Sequence, residues 1–156
     1  VNVLMTFIAI YLVDKVGRKP LLYFGLGGMV ISLFILGLGF HTNQTELLGI
    51  ISLITLFIYI ASFAYSLGPV GWLINSEIYP LHIRGKAMGI ATCANWLSNF
   101  VITATFLNLI KLLGKSGTFW LYAAIGLIGL LFIWRFVPET KAQSLEEIED
   151  TLVKKL

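Results

Sequence analysis

The chain has 156 residues, 58% of them hydrophobic and only 12% charged, whereas a soluble domain of this size carries about a quarter charged residues. That balance excludes an ordinary water-soluble domain, and a net charge of +3 gives no ground for a nucleic-acid partner. Cys93 is the single cysteine, so no internal disulfide is available, and no Cys/His cluster suggests a metal or other cofactor.

In chain order, Val1 to Val13 is apolar but too short to cross a bilayer. It has no basic flank or small-residue cleavage site that would make it a signal peptide, so Val1 reads as lying inside a membrane helix of a longer chain. The turn Asp14-Lys15-Val16-Gly17-Arg18-Lys19 follows. Leu21–Phe40, Leu47–Ser76, Ala87–Ile110 and Ser116–Trp134 are then free or nearly free of charge. Each approaches or exceeds the roughly 20 residues a membrane helix needs, so an all-α membrane protein is expected.

Leu21–Phe40 carries Gly25, Gly27, Gly28, Gly37 and Gly39, and Ser116–Trp134 carries Gly126 and Gly129. Small residues let membrane helices approach closely, so both read as scaffold. Leu47–Ser76 is longer than a simple span and contains Gly68-Pro69-Val70-Gly71-Trp72. Proline removes a backbone donor and clashes with the preceding turn, which predicts two helical pieces meeting at Gly68–Gly71, with carbonyls freed near Tyr65 and Ser66. Interrupted helices at membrane depth are tolerated where they line a cavity or are buried in protein, and they point to binding sites in secondary transporters. Tyr59, Phe63, Tyr65 and Trp72 surround this break.

Ala87–Ile110 holds Thr92, Asn95, Trp96, Ser98, Asn99 and Thr103. Asn95 and Asn99 are four residues apart and share a helix face, and an amide offers donors and an acceptor together. The alternative is that they only bond helix to helix. Residues 1–137 form the membrane part, and Pro138 starts a tail, 138–156. There Ser144 and Glu147 fit a capping box, and Leu145, Ile148, Leu152 and Leu156 predict a short amphipathic helix. His41 and His82 read as solvated loop histidines, and Asn43-Gln44-Thr45 is formally an N-glycosylation sequon. No buried nucleophile–base pair suggests an enzyme.

Lys15, Arg18, Lys19, Arg84, Lys86, Arg135, Lys141, Lys154 and Lys155 fall on one side of the expected crossings, and only Lys111 and Lys115 on the other. Basic residues stay inside, so the first set, with the C-terminus, is placed in the cytoplasm.

Together these segments resemble the sugar porter family of the major facilitator superfamily. Asp14-Lys15-Val16-Gly17-Arg18-Lys19 is similar to its D-x-x-G-R-[KR] loop, and Gly68-Pro69-Val70-Gly71-Trp72 to its G-P-x-x-W segment. Glu77-Ile78-Tyr79-Pro80-Leu81-His82-Ile83-Arg84-Gly85 resembles its E-x-x-P-x-x-x-R-G continuation, Asn95-Trp96-Leu97-Ser98-Asn99 its N-W-x-x-N, and Pro138-Glu139-Thr140-Lys141 its P-E-T-K. The nearest relatives implied are bacterial pentose or hexose–proton symporters and glucose facilitators.

The resemblance implies the C-terminal half of that fold, from the last part of helix eight through helix twelve plus a short cytoplasmic helix. It implies sugar contacts at Phe63, Gly68, Trp72, Asn95, Trp96 and Asn99, with a hinge at Gly68, Pro69 and Gly71. Gly71 stands where facilitators often carry a second proline. It also implies a cytoplasmic charge network of Asp14, Arg18, Glu77, Arg84 and Glu139, in which Asp14–Arg18 and Glu77–Arg84 are expected to pair. Asp14 is expected near a helix N-terminus, where the dipole favours a negative charge.

The expected function is alternating-access transport of a monosaccharide, pentose or hexose, across the plasma or inner membrane, with or without proton symport. The expected partners are the N-terminal half of the same transporter and membrane lipid. The alternatives are a polyol or other small polar solute, or a non-transporting sugar sensor on the same scaffold.

Overall fold

The computed structural model describes residues 1–42 and 45–141. The Asn43 sequon and the amphipathic helix from Ser144 therefore lie outside the described residues. The described residues form α1 (Asn2–Val16), α2 (Arg18–His41), α3 (Thr45–Tyr65), α4 (Leu67–Glu77) and α5 (Arg84–Phe136). By length and composition, α2, the α3–α4 pair and α5 are each apolar enough to cross a membrane.

At 53 residues, α5 would be about 80 Å long if straight, far more than one bilayer crossing of about 30 Å. It is not straight. Gly114 sits inside it at φ +71°, a left-handed conformation open to glycine at little cost. Beyond it the chain folds back, and Phe106 stacks on Tyr122 at 6.3 Å between ring centroids. The arms 84–113 and 115–136 thus correspond to the expected Ala87–Ile110 and Ser116–Trp134 spans, joined at a single residue.

The scaffold is organised around α2. Leu21, Leu22, Leu26 and Met29 bury against Val70 and Ile74 of α4 and Ile133 of α5. Its glycines do what small residues do in lipid, letting neighbours close in. A Cβ on Gly25 would fall on the Ser66 side chain, one on Gly28 on Ser62, and one on Gly37 on the Trp120 ring. Trp120 stacks on Phe34 and donates its indole N–H to the Phe34 carbonyl at 3.3 Å. Hydroxyls inside the apolar helices bond the preceding turn, as Ser32 does to Gly28 and Thr118 to Gly114, each at 2.8 Å. Such back-bonding satisfies a polar group without a partner helix.

The helix break does not fall at Gly68–Gly71. It falls at Ser66, whose φ −125°, ψ −99° separates α3 from α4. Proline excludes the carbonyl four residues before it, that of Tyr65, from a regular turn, yet it is well accommodated in the first turn of a new helix. Pro69 therefore sits in the first turn of α4 rather than ending α3, and Gly68 and Gly71 lie within α4. The Ser66 N–H is taken by the Phe63 carbonyl at 3.2 Å, and its own carbonyl accepts from the Val70 N–H at 2.8 Å.

Candidate functional site

α4 ends at Glu77 and α5 begins at Arg84, so the two run in opposite directions from a common end. Each presents a stripe at i, i+4, i+8, the spacing that keeps side chains on one helix face. Leu67, Gly71 and Asn75 come from α4, and Ala91, Asn95 and Asn99 from α5. Between them, with Phe63 and Trp72, lies a cleft of about 360 Å³. Gly71 helps keep it open, since a Cβ there would meet nothing within 4 Å. The absence of the second proline at that position leaves room instead of a ring.

Among the described residues, no charged side chain lines the cleft. The Asn99 side chain donates one N–H to the Asn95 carbonyl at 3.0 Å. The amides of Asn75 and Asn95 hydrogen-bond none of the other described residues and keep donor and acceptor free. Trp72 and Phe63 are 41% and 42% exposed, presenting aromatic surface to the same space. The arrangement suits a small neutral molecule that both donates and accepts hydrogen bonds and carries an apolar face.

Of the residues expected to contact ligand, Phe63, Trp72, Asn95 and Asn99 come together in this cleft. Gly68 and Trp96 are not among its lining. Gly68 faces the Phe63 carbonyl and ring, while Trp96, one residue beyond Asn95, is turned about 100° around the helix and is 67% exposed. Sequence reasoning missed Asn75, although the four-residue spacing of Leu67, Gly71 and Asn75 was there to be read.

The expected charge network is built differently from its expected pairs. The Arg18 guanidinium bonds Glu77 at 3.1 Å, Asp14 at 3.4 Å and the Val13 carbonyl at 3.2 Å. Glu77 also accepts from the Thr140 hydroxyl. Arg84 does not pair with Glu77; its Nε donates to the Tyr79 carbonyl at 3.2 Å. Arg84 is only seven residues from Glu77, but the irregular chain between α4 and α5 turns it onto its own segment.

Asp14 lies in the last turn of α1 and bonds the side chain of Arg18, the first residue of α2, but it does not take the position over that helix's N-terminal backbone N–H groups. That place belongs to Glu139. Its carboxylate accepts from the Arg18 and Lys19 backbone N–H groups at 2.9 and 3.0 Å and from the Lys141 N–H at 3.0 Å. The first turn of α2 has no acid of its own and no side-chain cap, so a carboxylate from 121 residues away takes the orphan donors and the positive end of the dipole. Gly17 makes the approach possible. Its φ is +101°, and a Cβ would stand 2.7 Å from Glu139 Oε2.

Long apolar helices, a break within the α3–α4 span and an amide-and-aromatic cleft between α4 and α5 define a multi-pass membrane protein. The comparisons agree. The family model described as sugar (and other) transporter matches residues 1–152. The D-xylose-proton symporter of Escherichia coli strain K12 is 43% identical over 155 residues, covering 96% of this chain and 31% of the symporter. The facilitated trehalose transporter Tret1 of Bombyx mori is 45% identical over 153 residues, covering 96% and 30%. The inward-open structure of the xylose transporter XylE from Escherichia coli superposes with a TM-score of 0.87 at 45% identity, over 96% of this chain and 33% of that one. The chain belongs to the sugar porter family of the major facilitator superfamily, a family of transporters rather than enzymes. It lies in the C-terminal half of that fold and spans about a third of the length of these relatives.

Proposed function

We propose that the protein moves a monosaccharide across a membrane by alternating access, with the α4–α5 cleft as one wall of the sugar site. The observation that carries this reading is the meeting of two four-residue stripes in an uncharged cleft beside the Ser66 break, with two amides free. Sugar hydroxyls both donate and accept, which the amides match, while the apolar ring face suits Trp72 and Phe63. The names of the xylose and trehalose relatives support a sugar. In transporters of this kind the site lies between two repeats near the midplane, so the opposite wall comes from the N-terminal half, where Trp96 gains its contacts.

The Ser66 break, with Gly68, Pro69 and Gly71 just beyond it, acts as the hinge of the α3–α4 span. The end bearing Arg18, Glu77, Arg84 and Glu139 faces the cytoplasm, as its basic excess requires, and so does the tail from 138. There the network holds the protein shut while the cleft faces outward. Membrane lipid covers the exposed apolar side chains of α2, such as Phe24 and Ile31, and of the second arm of α5, such as Ile128 and Phe132.

The test is uptake of labelled D-glucose and D-xylose by the full-length protein in liposomes, with and without an inward proton gradient. Saturable uptake inhibited by unlabelled sugar is expected, and its response to the gradient separates symport from facilitation. Uptake of a polyol or organic acid with none of either sugar would overturn the reading.

A further inference from the structure

We infer that the groove between α2 and the second arm of α5 is a binding site for an anionic phospholipid, with one acyl chain in the groove and the phosphate at Lys115. It is separate from the proposed sugar site, which lies between α4 and the first arm of α5.

The groove has a volume of about 490 Å³. Ile31 and Phe34 of α2 and Leu127 of α5 line it and are at least half exposed, while Ala123, also in the lining, is buried. Ala123 and its neighbour Ala124 supply little volume, so a channel is left beside bulkier side chains. Its walls are braced. A Cβ on Gly126 would stand 2.8 Å from the Val30 side chain, and the Trp120 ring is seated on Gly37 and stacked on Phe34. Trp120 carries the one polar side-chain group in the lining, and that N–H is spent on the Phe34 carbonyl. The groove therefore offers nothing to a polar ligand and fits an apolar chain. From Trp120 to Leu127 the helix rises about 10 Å, most of the roughly 15 Å that one leaflet contributes to the hydrocarbon core.

Charge at one end selects the occupant. The His41 ring lies 5.6 Å from that of Trp120, and the Lys115 ammonium sits 5.4 Å over the ring of Phe40, the residue before His41. Lys111 is four residues earlier in the chain. Neither α2 nor α5 contains a single Asp or Glu, so the two walls supply no counter-charge, and no described acid pairs with Lys115. The other end of the groove, at Val30 and Leu127, stops in mid-helix. An amphiphile with an apolar chain and an anionic head matches this order. Its phosphate accepts charge-assisted hydrogen bonds from the Lys115 ammonium, and Trp120 takes the place tryptophan favours at the membrane–water boundary.

The experiment titrates the full-length protein in detergent with phosphatidylglycerol or phosphatidylcholine carrying brominated acyl chains, which quench a tryptophan they touch. The Trp120 signal is the quenching lost in Trp120→Phe. Wild type should take phosphatidylglycerol about fivefold more tightly than phosphatidylcholine, the scale of one basic side chain at a charged membrane surface. Lys115→Gln should bring the two lipids within about twofold of each other. Ala124→Leu, at an exposed position in the lining, should weaken both about fourfold or more, the scale of one methylene displaced. Native mass spectrometry of wild type, expected to retain phosphatidylglycerol in preference to phosphatidylcholine, needs no variant to fold. Equal affinity for the two lipids in wild type would make the groove ordinary lipid-facing surface, and no quenching of Trp120 by either would mean that protein covers it; both results overturn the site. An unchanged preference in Lys115→Gln would overturn the headgroup assignment, and unchanged binding in Ala124→Leu the acyl-chain seat.

Discussion

Arg18→Ala is expected to slow sugar uptake by the full-length protein about tenfold or more while leaving sugar affinity near wild type, a change of about 1–2 kcal/mol in a conformational equilibrium. The guanidinium ties the start of α2 to the end of α4 through Glu77, and to the last turn of α1 through Asp14 and the Val13 carbonyl. Exposed pairs are worth only about 0–1 kcal/mol, and the Asp14 pair, with Asp14 78% exposed, is of that kind. The Glu77 pair is different. Its side chains are 14% and 23% exposed, and removing one partner leaves a part-buried carboxylate with only the Thr140 hydroxyl among its described partners. Arg84→Ala should do less, because Arg84 bonds a carbonyl of its own segment and, among the described residues, no acid. Turnover in proteoliposomes, set beside equilibrium sugar binding, checks both variants. Equal effects, or an unchanged rate for Arg18→Ala, would reduce the cluster to a topology marker.

Gly25→Ala should destabilise the fold by about 1–3 kcal/mol, the usual range for forcing volume into a packed contact. The added Cβ would fall on the Ser66 side chain and within 2.8 Å of the Ser62 carbonyl oxygen. Ser66 is fully buried and sits at the break itself, so it cannot retreat without moving the start of α4. Gly27→Ala, on the same helix, gives the contrasting sign. Among the described residues its Cβ would meet Leu130 alone, at an ordinary 3.9 Å, and replacing a helix-interior glycine by alanine is worth up to about 1 kcal/mol in favour. Thermal unfolding in detergent of the full-length protein compares them. A lower midpoint for Gly25→Ala and an equal or higher one for Gly27→Ala is the expected outcome; a tolerated Gly25→Ala would mean the α2–α3 contact is looser than described.

What was legible in the sequence is what depends on short-range pattern. The apolar spans, the small-residue face of α2, the interruption near Pro69 and the Asn95–Asn99 pair all follow from composition and spacing within one segment. What was not legible depends on segments far apart. Glu139 caps α2 from the other end of the chain, and no local rule brings a tail residue to a helix start that lacks an acid of its own. The break moved from the glycines to Ser66 because proline disturbs the turn before it and fits the turn it begins. Asn75 was overlooked because a lone amide between Ile74 and Ser76 gains meaning only once α5 forms the other side of the cleft it lines. Arg84 was paired with Glu77 by nearness in sequence, while the fold brings Arg18 to Glu77 across 59 residues.

The central claim, that the α4–α5 cleft holds the sugar, is tested most directly by equilibrium binding of labelled D-glucose to the full-length protein carrying Asn95→Ala. Asn95 offers a free amide in the middle of the cleft, and losing it should weaken binding about tenfold. Cys93→Ala, on an exposed neighbour outside the lining, should bind as wild type does. Wild-type affinity in Asn95→Ala, with the protein folded, would contradict the assignment of this cleft as the sugar site.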